Sequence, residues 1–144
     1  MAPILSLFFA LFIASVSVAA PVEQRQIGDL ACNIDRVKIL TDLVSTGSAV
    51  GQIDTSDPAT ATAVAAAQSG LKAVGDSVAE IALALVTGAA APADARTAVS
   101  QGLNDTRSAL ESITNPAVSA SVAAAQSKLQ TAIDDGNAVL ADCN

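Results

Sequence analysis

The stretch PATATAVAAAQSGL at residues 58–71 returns as PAVSASVAAAQSKL at residues 116–129, with nine of the fourteen positions identical. The likeness extends backwards, since SAVGQI (48–53) corresponds to SALESI (108–113), with two extra loop residues in the first copy. The repeated unit therefore reads as helix, short turn, Asx-Pro start, helix. Alanine-rich helices can resemble one another by composition alone. Shared Pro, Gln-Ser and Leu positions at fixed register favour a true repeat, and a chain built this way is expected to fold as a duplicated αα-hairpin.

Punctuation supports the helices. Asp57-Pro58 and Asn115-Pro116 each set an N-cap acceptor before a proline at the first helical position, where the missing N–H costs nothing. Ala91-Pro92 opens another segment with Asp94 in its first turn, Asn33 or Asp29 suits the cap of the first helix, and Gly88 suits a helix stop. Between these marks the apolar residues step by three and four. The first segment carries two such series, Val37, Leu40, Val44 and Ile39, Leu43, Val50, Ile53. The second carries Val64, Ala67, Leu71, Val74, Val78, Ile81 and Leu85. The third carries Val99, Leu103, Thr106, Leu110 and Ile113, and the fourth Val118, Val122, Ala125, Leu129, Ile133 and Leu140. Such stripes belong to helices packed on partner helices, and no run alternates with period two. The expected fold is all-α: an antiparallel up-down four-helix bundle with helices near 31–53, 57–87, 92–113 and 116–142, in repeat units of about 31–87 and 92–142. Gly47 and Gly51 are expected to permit close packing.

Ahead of this domain, Ile4 to Val18 is apolar but shorter than the roughly 20 residues a spanning helix needs. It ends in small residues before Pro21, the layout of a signal peptide although no basic residue precedes it. Residues 1–20 are expected to be a leader cleaved near Ala20, with a second cut after Arg25 as an option, and 21–30 a flexible segment before a single domain over 31–144. No transmembrane anchor is expected, and the chain reads as secreted, extracellular or cell-wall associated. All three Phe and the single Met lie in the leader, and Trp, Tyr and His are absent throughout. The remaining core must be made of Ala, Val, Leu and Ile, which forces close approach of the helices to recover dispersion contacts.

Cys32 and Cys143 are the two cysteines, at the expected start of the first helix and end of the fourth. In a secreted up-down bundle those ends adjoin, so the pair is expected to form a disulfide. The loop it closes exceeds 100 residues, which corresponds to about 4–5 kcal/mol in the chain-entropy account.

Chemistry is scarce. Without histidine there is no Ser-His or Cys-His nucleophile pair and no histidine metal site. Asp134-Asp135 are adjacent and so diverge on a helix, Asp57 is better used as a cap, and neither a phosphate loop nor a calcium loop has the required spacing. The net charge of −7 comes from fourteen acidic and seven basic residues dispersed beyond the leader, which argues against nucleic acid and anionic membranes. No enzyme and no cofactor or metal is expected. Asn104-Asp105-Thr106 is a glycosylation sequon, so Asn104 is expected to face outward.

The leader, ACNIDRVKIL, SAVGQI, the Asx-Pro helix start, GAAAPADAR and the terminal VLADCN together resemble fungal small secreted proteins and, more remotely, the hydrophobic surface-binding and cell-wall galactomannoprotein family. The resemblance implies an extracellular, all-helical, non-enzymatic protein that binds hydrophobic surfaces or apolar, lipid-like ligands, and it transfers no residue-level site. The residues expected to line such a ligand or interface are Val64, Leu71, Val74, Val78, Ile81 and Leu85 on the second helix. On the third they are Val99, Leu103 and Leu110, and on the fourth Val122, Leu129 and Ile133. The apolar connection GAAAPA (88–93) lies at the same end as the cysteines, which leaves two readings: hairpins that part from the 54–57 and 114–115 end and spread their apolar faces, and an ordinary closed bundle that never opens. The alternative is an effector or signalling ligand with a protein receptor.

Overall fold

Asp57 shows how the chain turns its sequence into helices. Its extended backbone (φ −85°, ψ 127°) leaves the carboxylate to accept from the Thr60 N–H at 2.8 Å and the Thr60 hydroxyl at 2.9 Å, while Pro58 takes the first helical position. In the computed structural model, which describes the backbone of residues 30–143 and the side chains of residues 34–141 and 143, this start opens the second of four helices. These are α1 (Leu30–Gly51), α2 (Pro58–Val86), α3 (Ala93–Glu111) and α4 (Ser119–Asp142). The leader, its cleavage points and Asp29 lie outside the described residues, as do the side chains of Cys32 and Asn33.

Gly88 stops α2, adopting φ +75°. With it the Ala89 N–H reaches the Ala84 carbonyl at 2.8 Å and the Gly88 N–H reaches Leu85 at 3.1 Å, the paired bonds of a Schellman motif. Pro92 enters α3 without a side-chain cap, and Asp94 supplies the favourable charge in the first turn. The second Asx-Pro start differs from expectation in one respect. Asn115 accepts from the Ala117 N–H at 3.0 Å, one residue earlier than Asp57 does, and Pro116–Val118 winds as a 3₁₀ turn before α4 proper.

The four helices pack against one another around a single aliphatic core, and no strand occurs among the described residues. The intimate contacts cross the two repeats. α2 lies along α3 and α1 lies along α4, whereas α1 meets α2, and α3 meets α4, only sparsely. Both close pairs run antiparallel: Gly70 and Val74 of α2 meet Thr106 and Gly102 of α3, and Ile39 and Asp42 of α1 meet Gly136 and Asp135 of α4. Small residues explain the α2–α3 choice, because Ala67, Gly70 and Gly102 let the backbones approach, and in the α1–α4 pair Gly136 leaves room for the Ile39 side chain. Gly47 and Gly51, expected at such a contact, have open space beside them instead.

Equivalent positions of the repeat share the same environment. Val64 and Val122 are both buried, and so are Ala67 and Ala125, Val74 and Ala132, and Val50 and Leu110. Thr46 and Thr106 are wholly buried, each donating its hydroxyl at 2.7 Å to the carbonyl four residues earlier. No buried side-chain polar atom lacks a partner among the described residues.

The core is not centred. Ile53, in the turn after α1, and Val118, in the turn before α4, are both buried and close one end of the molecule. Val64, Leu110 and Val122 pack beside them, and each fully buried Val or Leu contributes about 1.5–3 kcal/mol of transfer free energy.

Candidate functional site

Antiparallel pairing gathers the start of α1, the end of α2, the start of α3 and the end of α4 at the opposite end from this core. Here the aliphatic residues face solvent. Ile34 and Val37 of α1, Leu83 and Val86 of α2, and Leu140 of α4 are exposed large hydrophobic side chains of this half, while Val44, the other one exposed among the described residues, lies past the middle of α1. Leu83 and Val86 are the most open, at 66% and 64%. Ala89 and Ala90 of the connecting loop are exposed as well. Scattered exposed aliphatics are ordinary, but a group confined to one region marks a place for apolar material.

On α1 an open cleft of about 480 Å³ is lined, among the described residues, by Ile34, Val37, Lys38, Thr41 and Asp42. Its polar edge continues onto α4. Asp35 is buried and paired with the Lys38 ammonium at 2.8 Å. The Asp135 carboxyl is raised above its ordinary value, chiefly by a hydrogen bond shared with the Asp42 side chain, then by partial burial and by the negative charges of Asp42 and Asp35, with Lys38 opposing. Burial draws the Arg36 guanidinium down from its usual value. Among the described residues no cluster of His, Cys, Asp and Glu could hold a metal ion, and none of the four helices is long and apolar enough to cross a membrane.

The expected lining residues occupy a different place from this end. Val64, Val74, Leu103, Leu110, Val122 and Leu129 are buried core, and Leu71, Val78, Val99 and Ile133 are half-buried against it. Ile81 and Leu85, half-buried near the end of α2, adjoin the exposed group. Asn104 is exposed on α3. Cys143 is half-buried just after α4.

The exposed residues were legible as surplus. α1 carries two apolar series, and the structure buries Ile39, Val50 and Ile53 of one while leaving Val37 and Val44 of the other in solvent. One helix face cannot turn both series toward α4 and the core. Leu83 and Val86 likewise fall off the stripe through Val78, Ile81 and Leu85. The 54–57 and 114–115 end, from which the hairpins would part in the opening reading, is where the core is closed by Ile53 and Val118.

No family model, no curated protein and no solved structure matches the chain.

Proposed function

We propose that this is a secreted, non-enzymatic protein that binds hydrophobic surfaces or apolar, lipid-like ligands through the open end formed by α1, α2 and α4. One observation carries the reading: five of the six exposed large aliphatics among the described residues, all but Val44, gather at that end while the other is closed. Burying half of a leucine side chain recovers about 1 kcal/mol, so several together make useful adsorption energy. The likeness to hydrophobic surface-binding and cell-wall proteins, and the leader-like first twenty residues, support the same reading.

The finer architecture belongs to this proposal. A duplicated helix-turn-helix unit, arranged as an up-down bundle, accounts for the matched burial of Thr46 with Thr106 and Val50 with Leu110. A Cys32–Cys143 bridge would tie the start of α1 to the end of α4, which adjoin in the antiparallel pair, and no free cysteine occurs among the described residues. Such a bridge secures the less well-packed end.

The test is partition of pure protein onto hydrophobic beads at micromolar concentration, beside a Leu83→Asp/Val86→Asp variant. Wild type is expected to coat the beads and the variant to stay in solution with unchanged helicity. Wild type remaining in solution overturns the reading. Saturable cell binding by that unadsorbed protein would assign the end to a protein receptor instead.

A further inference from the structure

Almost all the cohesion between helices lies between the two repeat units rather than within them, since α1 packs along α4 and α2 along α3. A unit by itself, α1 with α2 or α3 with α4, therefore presents an unfilled face that only the complementary unit fits. The complementary unit of a second copy fits it identically.

The units are joined in sequence by Thr87 to Pro92. None of these six residues is buried, and Thr87, Gly88, Ala89 and Ala90 are exposed. What turns α2 back onto α3 is the left-handed Gly88 with its two backbone bonds to Leu85 and Ala84. Opening this hinge gives up little beyond those bonds, and every helix contact is regained when the units pair with those of another chain.

The hinge also lies at the open end. Exchange there sets two four-helix bodies end to end, with Leu83, Val86, Ile34 and Leu140 of one beside those of the other. The aliphatics left in solvent by the single chain are then covered by their own counterparts, a gain the closed monomer cannot make.

From these two independent features, the pairing across units and the placement of the exposed aliphatics at the hinge, we infer that the chain forms a dimer by reciprocal exchange of its α3–α4 unit about Thr87–Pro92. This goes beyond the adsorption reading and is tested without any surface present.

The experiment is light scattering coupled to gel filtration on full-length protein refolded at millimolar concentration in reducing buffer, so that no bridge ties α1 to α4. Wild type is expected to yield a species of twice the chain mass with unchanged helicity, converting slowly to monomer on dilution. Deleting Gly88–Ala91 removes the left-handed residue and is expected to make the dimer the sole folded form. Inserting a flexible glycine-serine segment after Ala90 is expected to reduce the dimer below detection, because a longer hinge lets the units close on their own chain. Should the deletion variant fail to fold, wild type against the insertion variant still decides. A dimer insensitive to hinge length is plain end-to-end association and overturns the exchange, as does a wild type that stays monomeric.

Discussion

Gly70 of α2 and Gly102 of α3 stand face to face, so that a Cβ on either would lie 2.9 Å or 2.8 Å from the carbonyl oxygen of the other. Thr106 completes the crossing, its hydroxyl donating to Gly102 at 2.7 Å and reaching the Ala67 carbonyl at 3.4 Å. A methyl group would strike the Thr106 hydroxyl or the Val74 side chain and, beyond them, backbone carbonyl oxygens that cannot step aside. Gly102→Ala is therefore expected to destabilise despite its better helix propensity, with overpacking of about 1–3 kcal/mol set against a gain of about 1 kcal/mol. Gly47→Ala and Gly75→Ala, in helical positions with open space beside them, are expected to stabilise by about 0.5–1 kcal/mol. Denaturant unfolding of the three variants checks this, and a common sign for all three would refute the tight crossing.

The lopsided core makes a second contrast. Leu110 is completely buried while Leu83 is two-thirds exposed. Leu110→Ala is expected to cost about 2–5 kcal/mol, and Leu83→Ala less than about 0.5 kcal/mol. In hydrogen exchange, amides of residues 60–75 and 103–130 are expected to outlast those of 34–44 and 80–90, because protection follows buried contacts. Uniform protection along α2 would contradict the placement of the core.

These two contrasts locate what was legible in the sequence. Helix number, the Asp57 cap and the Gly88 stop were readable because each is set within a few residues by local chemistry. Burial of the stripe through Val64, Leu103 and Leu129 was readable for the same reason, as helical period marks the inward face. Which helices would lie closest was not. The choice rests on Gly70 meeting Gly102, two residues that carry no side chain to pattern and lie on different helices. The exposed end was hidden in plain composition: Val37 and Val44 obey helical period as well as Ile39 and Val50 do, and only the three-dimensional partner decides between the two series. The likeness between the repeats concealed a further point. Asp42 occupies the position of Gly102, and Asp135 that of Ser77, so one crossing is neutral and the other acidic.

Removal of the α2 cap gives a third prediction. Hydrogen bonds from the Thr60 backbone N–H and then from the Thr60 hydroxyl hold the Asp57 carboxyl below its ordinary value. A depressed folded-state value adds stability above the unfolded value of about 3.9 and loses it as pH falls through the folded one. Asp57→Ala is expected to melt several degrees below wild type near neutrality, with the gap closing in acid. Asp57→Asn, which makes a cap of the kind that Asn115 already provides in the second repeat and does not titrate, is expected to melt close to wild type near neutrality and above it in acid. Thermal melts at neutral and acid pH distinguish the three proteins.

Asp135 works in the opposite direction. Its carboxyl is raised first by the hydrogen bond with Asp42, then by burial and by the charges of Asp42 and Asp35, with Lys38 pulling the other way. A raised folded-state value means that stability is full below the unfolded value of about 3.9 and declines as pH climbs through the folded one. Once Asp135 ionises, it loses the proton of its hydrogen bond with Asp42 across the α1–α4 pair, beside the cleft lined by Ile34 and Val37. Asp135→Asn keeps a donor for Asp42 at every pH. It is expected to melt with wild type in acid and a few degrees above it at neutrality, the gap opening above about pH 4. Because the pair borders the exposed aliphatics, the same variant should also exchange its α1 and α4 amides more slowly at neutral pH. Melting curves that stay parallel from acid to neutral pH would show that the Asp135 carboxyl is not raised by its neighbours.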